Sequence, residues 1–152
     1  MATTQLPAEL SQRIQTVFGA NSDPMPQLEE RARKLLADQQ AIVWEADAAT
    51  FAFSYVSASA EGVLGYPVSR WTSEPTFWAD VVVLTEDRDE SVSFCVAETG
   101  QCRDHAFDYR ARAADGHVVR LHDVVRVLRG GDGKASRLRG IMFAVTPSAT
   151  GG

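Results

Sequence analysis

The sequence predicts an α+β fold built on one five-stranded antiparallel sheet. Two short runs rich in β-branched and aromatic residues, 41–46 (AIVWEA) and 51–56 (FAFSYV), are separated only by Asp47, Ala48, Ala49 and Thr50, which reads as a hairpin. Three longer runs of the same kind, about 103–113, 117–128 and 136–145, are joined by Asp115-Gly116 and by Gly130-Gly131-Asp132-Gly133, both hairpin turn signals. Several short helical stretches lie between the two groups. The order is therefore two strands, short helices, then three strands, and every strand link suits antiparallel pairing.

Two helices precede the first strand. Pro7, Ala8 and Glu9 open a run whose Leu10, Ile14, Val17 and Phe18 share one face, and Gly19 with Asn21-Ser22-Asp23-Pro24 ends it. A second helix is predicted over 26–40, with Pro26 in its first turn and a narrow stripe of Leu28, Ala32, Leu35 and Leu36. That stripe suits either packing on its own domain or a short dimer contact. After the first hairpin, 57–65 reads as helical, with Ser57 or Ser59 as a cap and Gly65-Tyr66-Pro67 as its end. A short helical piece at 74–82 carries Phe77 and Trp78. Thr85, as a hydroxyl cap before Glu86 and Asp87, starts a longer helix that stops at Gly100. With Val92, Phe94, Cys95 and Val96 spread over it, this helix is expected to be largely buried. The domain plan is thus a helical extension at 1–40, a sheet domain at 41–147 and a disordered tail at 148–152.

Composition narrows the function. The 152 residues suit one domain, and 45% apolar with 23% charged residues is ordinary for a globular chain. A net charge of −5 argues against nucleic acid and anionic lipid as partners. No stretch is apolar enough to span a bilayer, and 1–20 has no signal-peptide pattern, so a cytoplasmic location is expected. Cys95 and Cys102 form no CxxC pair and read as free thiols.

Four segments resemble one family. The stretch 71–78 (WTSEPTFW) is similar to a short-helix segment ending in an aromatic pair. Leu84, Thr85, Glu86, Asp87 and Arg88 resemble an "HPEDR" helix start. Phe107, Asp108, Tyr109 and Arg110, followed by Ala114, Asp115 and Gly116, resemble an "FEYR…ADG" hairpin, and 138–146 (LRGIMFAVT) resembles an "LRGVMxDIT" strand. In this order and spacing they resemble the PAS fold with its PAC motif, as found in bacterial sensor kinases. Leu84-Thr85 depart from the family's His-Pro, Arg120 from its Trp, and Ala144 from the Asp that often joins the domain to an outgoing helix. The resemblance implies helices over one face of the sheet and a non-catalytic sensory role in two-component signalling.

Alternation along the strands then selects residues. His105, Phe107, Tyr109 and Ala111 share one face, which the resemblance points at the helices. Val119, Leu121, Asp123 and Val125 share the inner face of the next strand, and Leu138, Gly140, Met142 and Ala144 that of the last. Candidate ligand-binding residues are Trp78, Phe94, Cys95, His105, Phe107, Tyr109, Leu121, Asp123 and Met142. Asp123 among apolar neighbours needs partners: backbone amides, Arg or His in a structural role, or a ligand. The outer face carries Val124, Ile141, Phe143 and Val145, a patch that the N-terminal helices or a partner subunit would cover. These four, with Leu28 and Leu35, are the candidate interface, and a homodimer is expected.

Cofactor chemistry has little support. The resemblance would place a haem-ligating His on the long helix, and 86–99 has none. The flavin-adduct motif Asn-Cys-Arg-Phe-Leu is absent, so no cofactor is expected, with flavin lacking a photoadduct left open. His117 and His122 fall on opposite strand faces and make no metal pair. The glycine run 130–133 links strands and does not open a helix, so it is no phosphate cradle. Three readings follow: a sensor of a small ligand that acts through flanking helices; an interaction module with a filled core; and, third, an enzyme using a buried pair such as His105 with Asp123.

Overall fold

In the computed structural model, which describes residues 3–145, two layers of helix enclose a single sheet. The tail expected at 148–152, and 146–147 at the end of the sheet domain, lie outside the described residues. The elements run α1 (Ala8–Phe18), α2 (Met25–Leu35), β1 (Ile42–Asp47), β2 (Phe53–Val56), α3 (Ser59–Leu64), α4 (Val68–Ser73), α5 (Thr85–Gly100), β3 (His105–Arg112), β4 (Val118–Arg129) and β5 (Ala135–Ala144). The five strands stand in the order β2-β1-β5-β4-β3, all pairs antiparallel, so first and last strands meet at the centre. This is the α+β sheet the turn signals predicted.

Several local expectations are corrected. The second helix does not run to Gln40. Leu36 leaves helical geometry (φ −126°, ψ 26°) and becomes fully buried, a 3-10 turn follows over Ala37–Gln39, and Gln40 turns the chain at φ 50°. Burying one leucine contributes roughly 1.5–3 kcal/mol, which outweighs a further turn of polar helix. Helix α4 begins at Val68, before the short-helix segment that the resemblance placed at 71–78, and ends at Ser73. Neither Ser57 nor Ser59 caps α3: the Ser57 hydroxyl accepts from the Val43 amide, and Ser59 donates to the Ala41 carbonyl. Thr85 lies inside α5 and is no cap either. Asp87 instead ties the helix start to β3 through the Arg110 guanidinium at 2.6 Å and the Arg110 amide at 2.9 Å. The predicted deep burial of α5 is wrong. Only Ser91, Cys95 and Thr99 are buried, and Val96 is 55% exposed.

A bulge sets the faces of β2. Glu45 pairs with Tyr55 and Ala46 with Phe53, leaving Ser54 as an extra residue. Phe53 therefore turns inward against Trp44 and Trp71, while Tyr55 turns outward to the Glu29 carboxylate.

The sheet carries a core on each face. On the outer face Val43, Ile141 and Phe143 pack under Ile14, Val17, Phe18 and Leu28 of α1 and α2. Leu28, Ile141 and Phe143 are at most 1% exposed, and Leu35, Val124 and Val145 are partly buried against the same cluster. The chain's own helices thus occupy the face put forward as an interface. Polar bonds fix the α1–α2 link there. Arg139 pairs with Glu45 at 3.0 Å and donates to the Asp23 carbonyl, while Arg126 donates to the Gly19 carbonyl and lies 4.5 Å over the Phe18 ring.

A buried carboxylate also straps down the segment before α1. Asp108 accepts from the Thr4 amide (3.1 Å), the Thr4 hydroxyl and His122 Nδ1 (2.6 Å). Burial works to raise the pKa of Asp108, but the Thr4 and His122 hydrogen bonds outweigh it and hold it below the usual value. Asp108→Ala is expected to free the Thr3–Thr4 amides for hydrogen exchange and to cost about 1–3 kcal/mol. Exchange mass spectrometry on the N-terminal peptide checks this, and unchanged protection there would remove Asp108 as the strap.

Candidate functional site

A bare patch of backbone organises the inner face. Gly140 faces Trp44 across the β1–β5 pair. A Cβ at position 140 would sit 2.1 Å from Trp44 Cε2, so only glycine allows the indole to lie flat on the strand. In that pose Trp44 Nε1 donates to Asp123 Oδ1 at 3.0 Å. Tyr109 donates its hydroxyl to Asp123 Oδ2 at 3.0 Å, and Trp78 Nε1 donates to the Tyr109 oxygen at 3.0 Å. Met142 Sδ lies 3.3 Å from that oxygen. Trp78 opens a wide π turn, Trp78–Val82, closed by the Val83 amide on the Trp78 carbonyl. Such turns are rare and concentrate at functional sites. The result is one chain of hydrogen bonds from the helical layer through β3 and β4 to β1.

The electrostatics follow from dryness. Burial pushes the Asp123 carboxyl up to about 7, against the lowering pull of the Trp44 and Tyr109 hydrogen bonds. Burial, reinforced by the Asp123 charge, raises the Tyr109 phenol and the Cys95 thiol well above their ordinary values. Neither is a nucleophile in this setting.

Beside Asp123 lies a cavity of about 20 Å³. It has room for about one water molecule. Of the residues selected from sequence, Trp78, Cys95, Phe107 and Asp123 line it. Tyr109 and Met142 adjoin Asp123 through their hydrogen bond and sulfur contact, and Leu121 is fully buried in the same core. Phe94 and His105 do not line it. They meet edge to face at 5.6 Å, with Phe107 beside both rings. His105 bonds the Arg103 carbonyl through Nδ1, not Asp123, and burial lowers its pKa. The acid–base pair considered from sequence is therefore not formed. The partners foreseen for Asp123, backbone amides, Arg or His, are likewise replaced by an indole and a phenol. Trp44, Ala46, Phe51, Phe53, Val125 and Leu138 complete the lining; alternation placed Val125 and Leu138 on the inner face, but none of the six was among the candidate ligand-binding residues. The alternation of β1 marked Trp44 only as a strand residue; the glycine at 140 was its one sequence signal.

Among the described residues no group of three His, Cys, Asp or Glu side chains is placed to hold a metal ion. A flavin ring system or haem does not fit a cavity of this size without rebuilding the inner face. No helix among the described residues is long and apolar enough to cross a membrane.

Comparison with known proteins agrees with this architecture. The family model for the PAS fold matches residues 53–142. The N-terminal domain of a diguanylate cyclase with PAS/PAC sensor from Marinobacter aquaeolei is 39% identical, with a TM-score of 0.63 over 68% of this chain and 94% of that one. A sensory box histidine kinase/response regulator from Burkholderia thailandensis is 19% identical (TM-score 0.60, 76% and 85% covered). The domain of a putative light and redox sensing histidine kinase from Haloarcula marismortui is 17% identical (TM-score 0.59, 77% and 99% covered). No curated protein matches. The five-stranded order with first and last strands paired, the short helices over the inner face and the matched span together make the chain a member of the PAS-fold family, a family of signal-sensing domains.

Proposed function

We propose that the chain is a non-catalytic sensory module that responds to a compact polar molecule, or to a packing change, at the Asp123 cavity. The response would pass through the sheet to α1 and α2, and from there to a signalling partner. The observation that carries this reading is the hydrogen-bonded chain Trp78–Tyr109–Asp123–Trp44 beside the cavity. A molecule that competes for Asp123 releases the Trp44 indole, and Trp44 sits between Val43 and Glu45, which hold the outer layer. The similar proteins described as a cyclase sensor and as a histidine kinase suggest an output of that type, in another polypeptide or segment; we place the module in the cytoplasm.

A second reading, an interaction module with a filled core that acts as a homodimer, is favoured by the cavity's small size. Native mass spectrometry beside a denatured sample separates the two. Added mass that is lost on denaturation, and is absent from Asp123→Ala, is expected for the sensor. A dimer without added mass, unchanged by Asp123→Ala, would replace it with the interaction module.

A further inference from the structure

Outside the inner cavity, a groove of about 810 Å³ runs between the C-terminal half of α5 and the turns that join β1 to β2 and β4 to β5. Its size falls within the range of small-molecule sites. Val92, Val96 and Phe51 supply apolar wall, and Val96 is one of the two large apolar side chains most exposed among the described residues. The charged residues of the wall are both cations, Arg129 and Lys134, and no carboxylate lines it, in a chain whose net charge is −5. Arg129 donates to the Gly133 carbonyl of its own turn, and Lys134 makes no ion pair among the described residues. Thr99, also in the wall, has a buried hydroxyl with no hydrogen-bond partner among the described residues.

We infer that this groove binds a free monocarboxylic acid with an apolar tail. The acid group would meet Arg129 and Lys134 at the β4–β5 turn, and the tail would cover Val92 and Val96 and end against Phe51. Two features select a monoanion over a phosphate. The cations are two side chains on one turn, and the Arg129 guanidinium already gives one donor to the Gly133 carbonyl. The end of α5 that reaches the groove, at Gly100 and Gln101, is the C-terminal end, whose dipole is negative and opposes a dianion. An apolar floor next to a cationic rim also discriminates against a neutral alcohol of the same length. Phe51 lines both this groove and the Asp123 cavity, but the inference requires no ligand at Asp123.

Octanoate is the probe, followed by amide chemical shifts of the whole chain at pH 7. Saturable shifts at Val92, Val96 and Lys134 are expected, with 1-octanol at least about tenfold weaker. Lys134→Gln, an exposed residue whose loss leaves the turn intact, should weaken octanoate about tenfold, and Val96→Asp similarly. The site is overturned if shifts at these residues are absent, if octanol equals octanoate, or if Lys134→Gln and Arg129→Gln both bind as the parent does.

Discussion

Gly140→Ala is expected to lower the unfolding free energy by about 4 kcal/mol. The new methyl would stand 2.1 Å from Trp44 Cε2 and 2.3 Å from its Nε1, a clash with the body of a buried ring. Overpacking a core costs roughly 1–3 kcal/mol. Swinging the indole away also strips a donor from Asp123, and leaving a buried acceptor without its partner adds about 1–3 kcal/mol. Urea unfolding measures the total, and tryptophan fluorescence reports the moved ring. A cycle with Trp44→Val sharpens the test. The smaller side chain relieves the clash, so the double variant should cost clearly less than the sum of the singles. A Gly140→Ala cost below about 1 kcal/mol would mean that the indole does not rest on the strand.

The second large effect is in pH. Asp123 is raised from 3.8 in the unfolded chain to about 7 in the folded one. Between about pH 4 and 7 the folded chain therefore keeps a proton that the unfolded chain has lost. The unfolded state binds fewer protons there, so stability falls as pH rises through this window. The contribution is fully present below about pH 4 and gone above about 7, and its size is roughly 4 kcal/mol. Asp123→Asn removes the titrating group while still accepting from Trp44. The variant should show a flatter profile and be the more stable protein at pH 8. Unfolding at pH 5 and pH 8 for both proteins isolates the effect, since other groups cancel in the difference. A parent profile parallel to that of Asp123→Asn would show that Asp123 is ionised across the range.

Much of the architecture was legible because strands and turns are local. Asp115-Gly116 and the glycine run at 130–133 fixed two hairpins, and alternation put Asp123, Tyr109 and Met142 on one face. What failed is non-local. Trp44 and Asp123 lie 79 residues apart, and only the pairing of β5 with both β1 and β4 brings them together. The α5 error has a different origin. Its buried stripe is Ser91, Cys95 and Thr99, small residues at four-residue spacing that let the helix approach the sheet, while the larger Val92 and Val96 flank it. Counting apolar residues points at the flanks. The bulge at Ser54, which reverses the faces of Phe53 and Tyr55, has no signature in an alternating run.

The two cores share their strands, and this has a mechanical consequence. On β4, Asp123 is bounded by His122 and Val124; on β1, Trp44 is bounded by Val43 and Glu45. The chamber that holds the carboxylate and the layer that holds the N-terminal helices are thus separated by the thickness of one polypeptide. Information from inside to outside needs no lateral route through loops. A slight roll of either strand about its own axis lowers one set of side chains as it lifts the other, like the two pans of a balance on one beam.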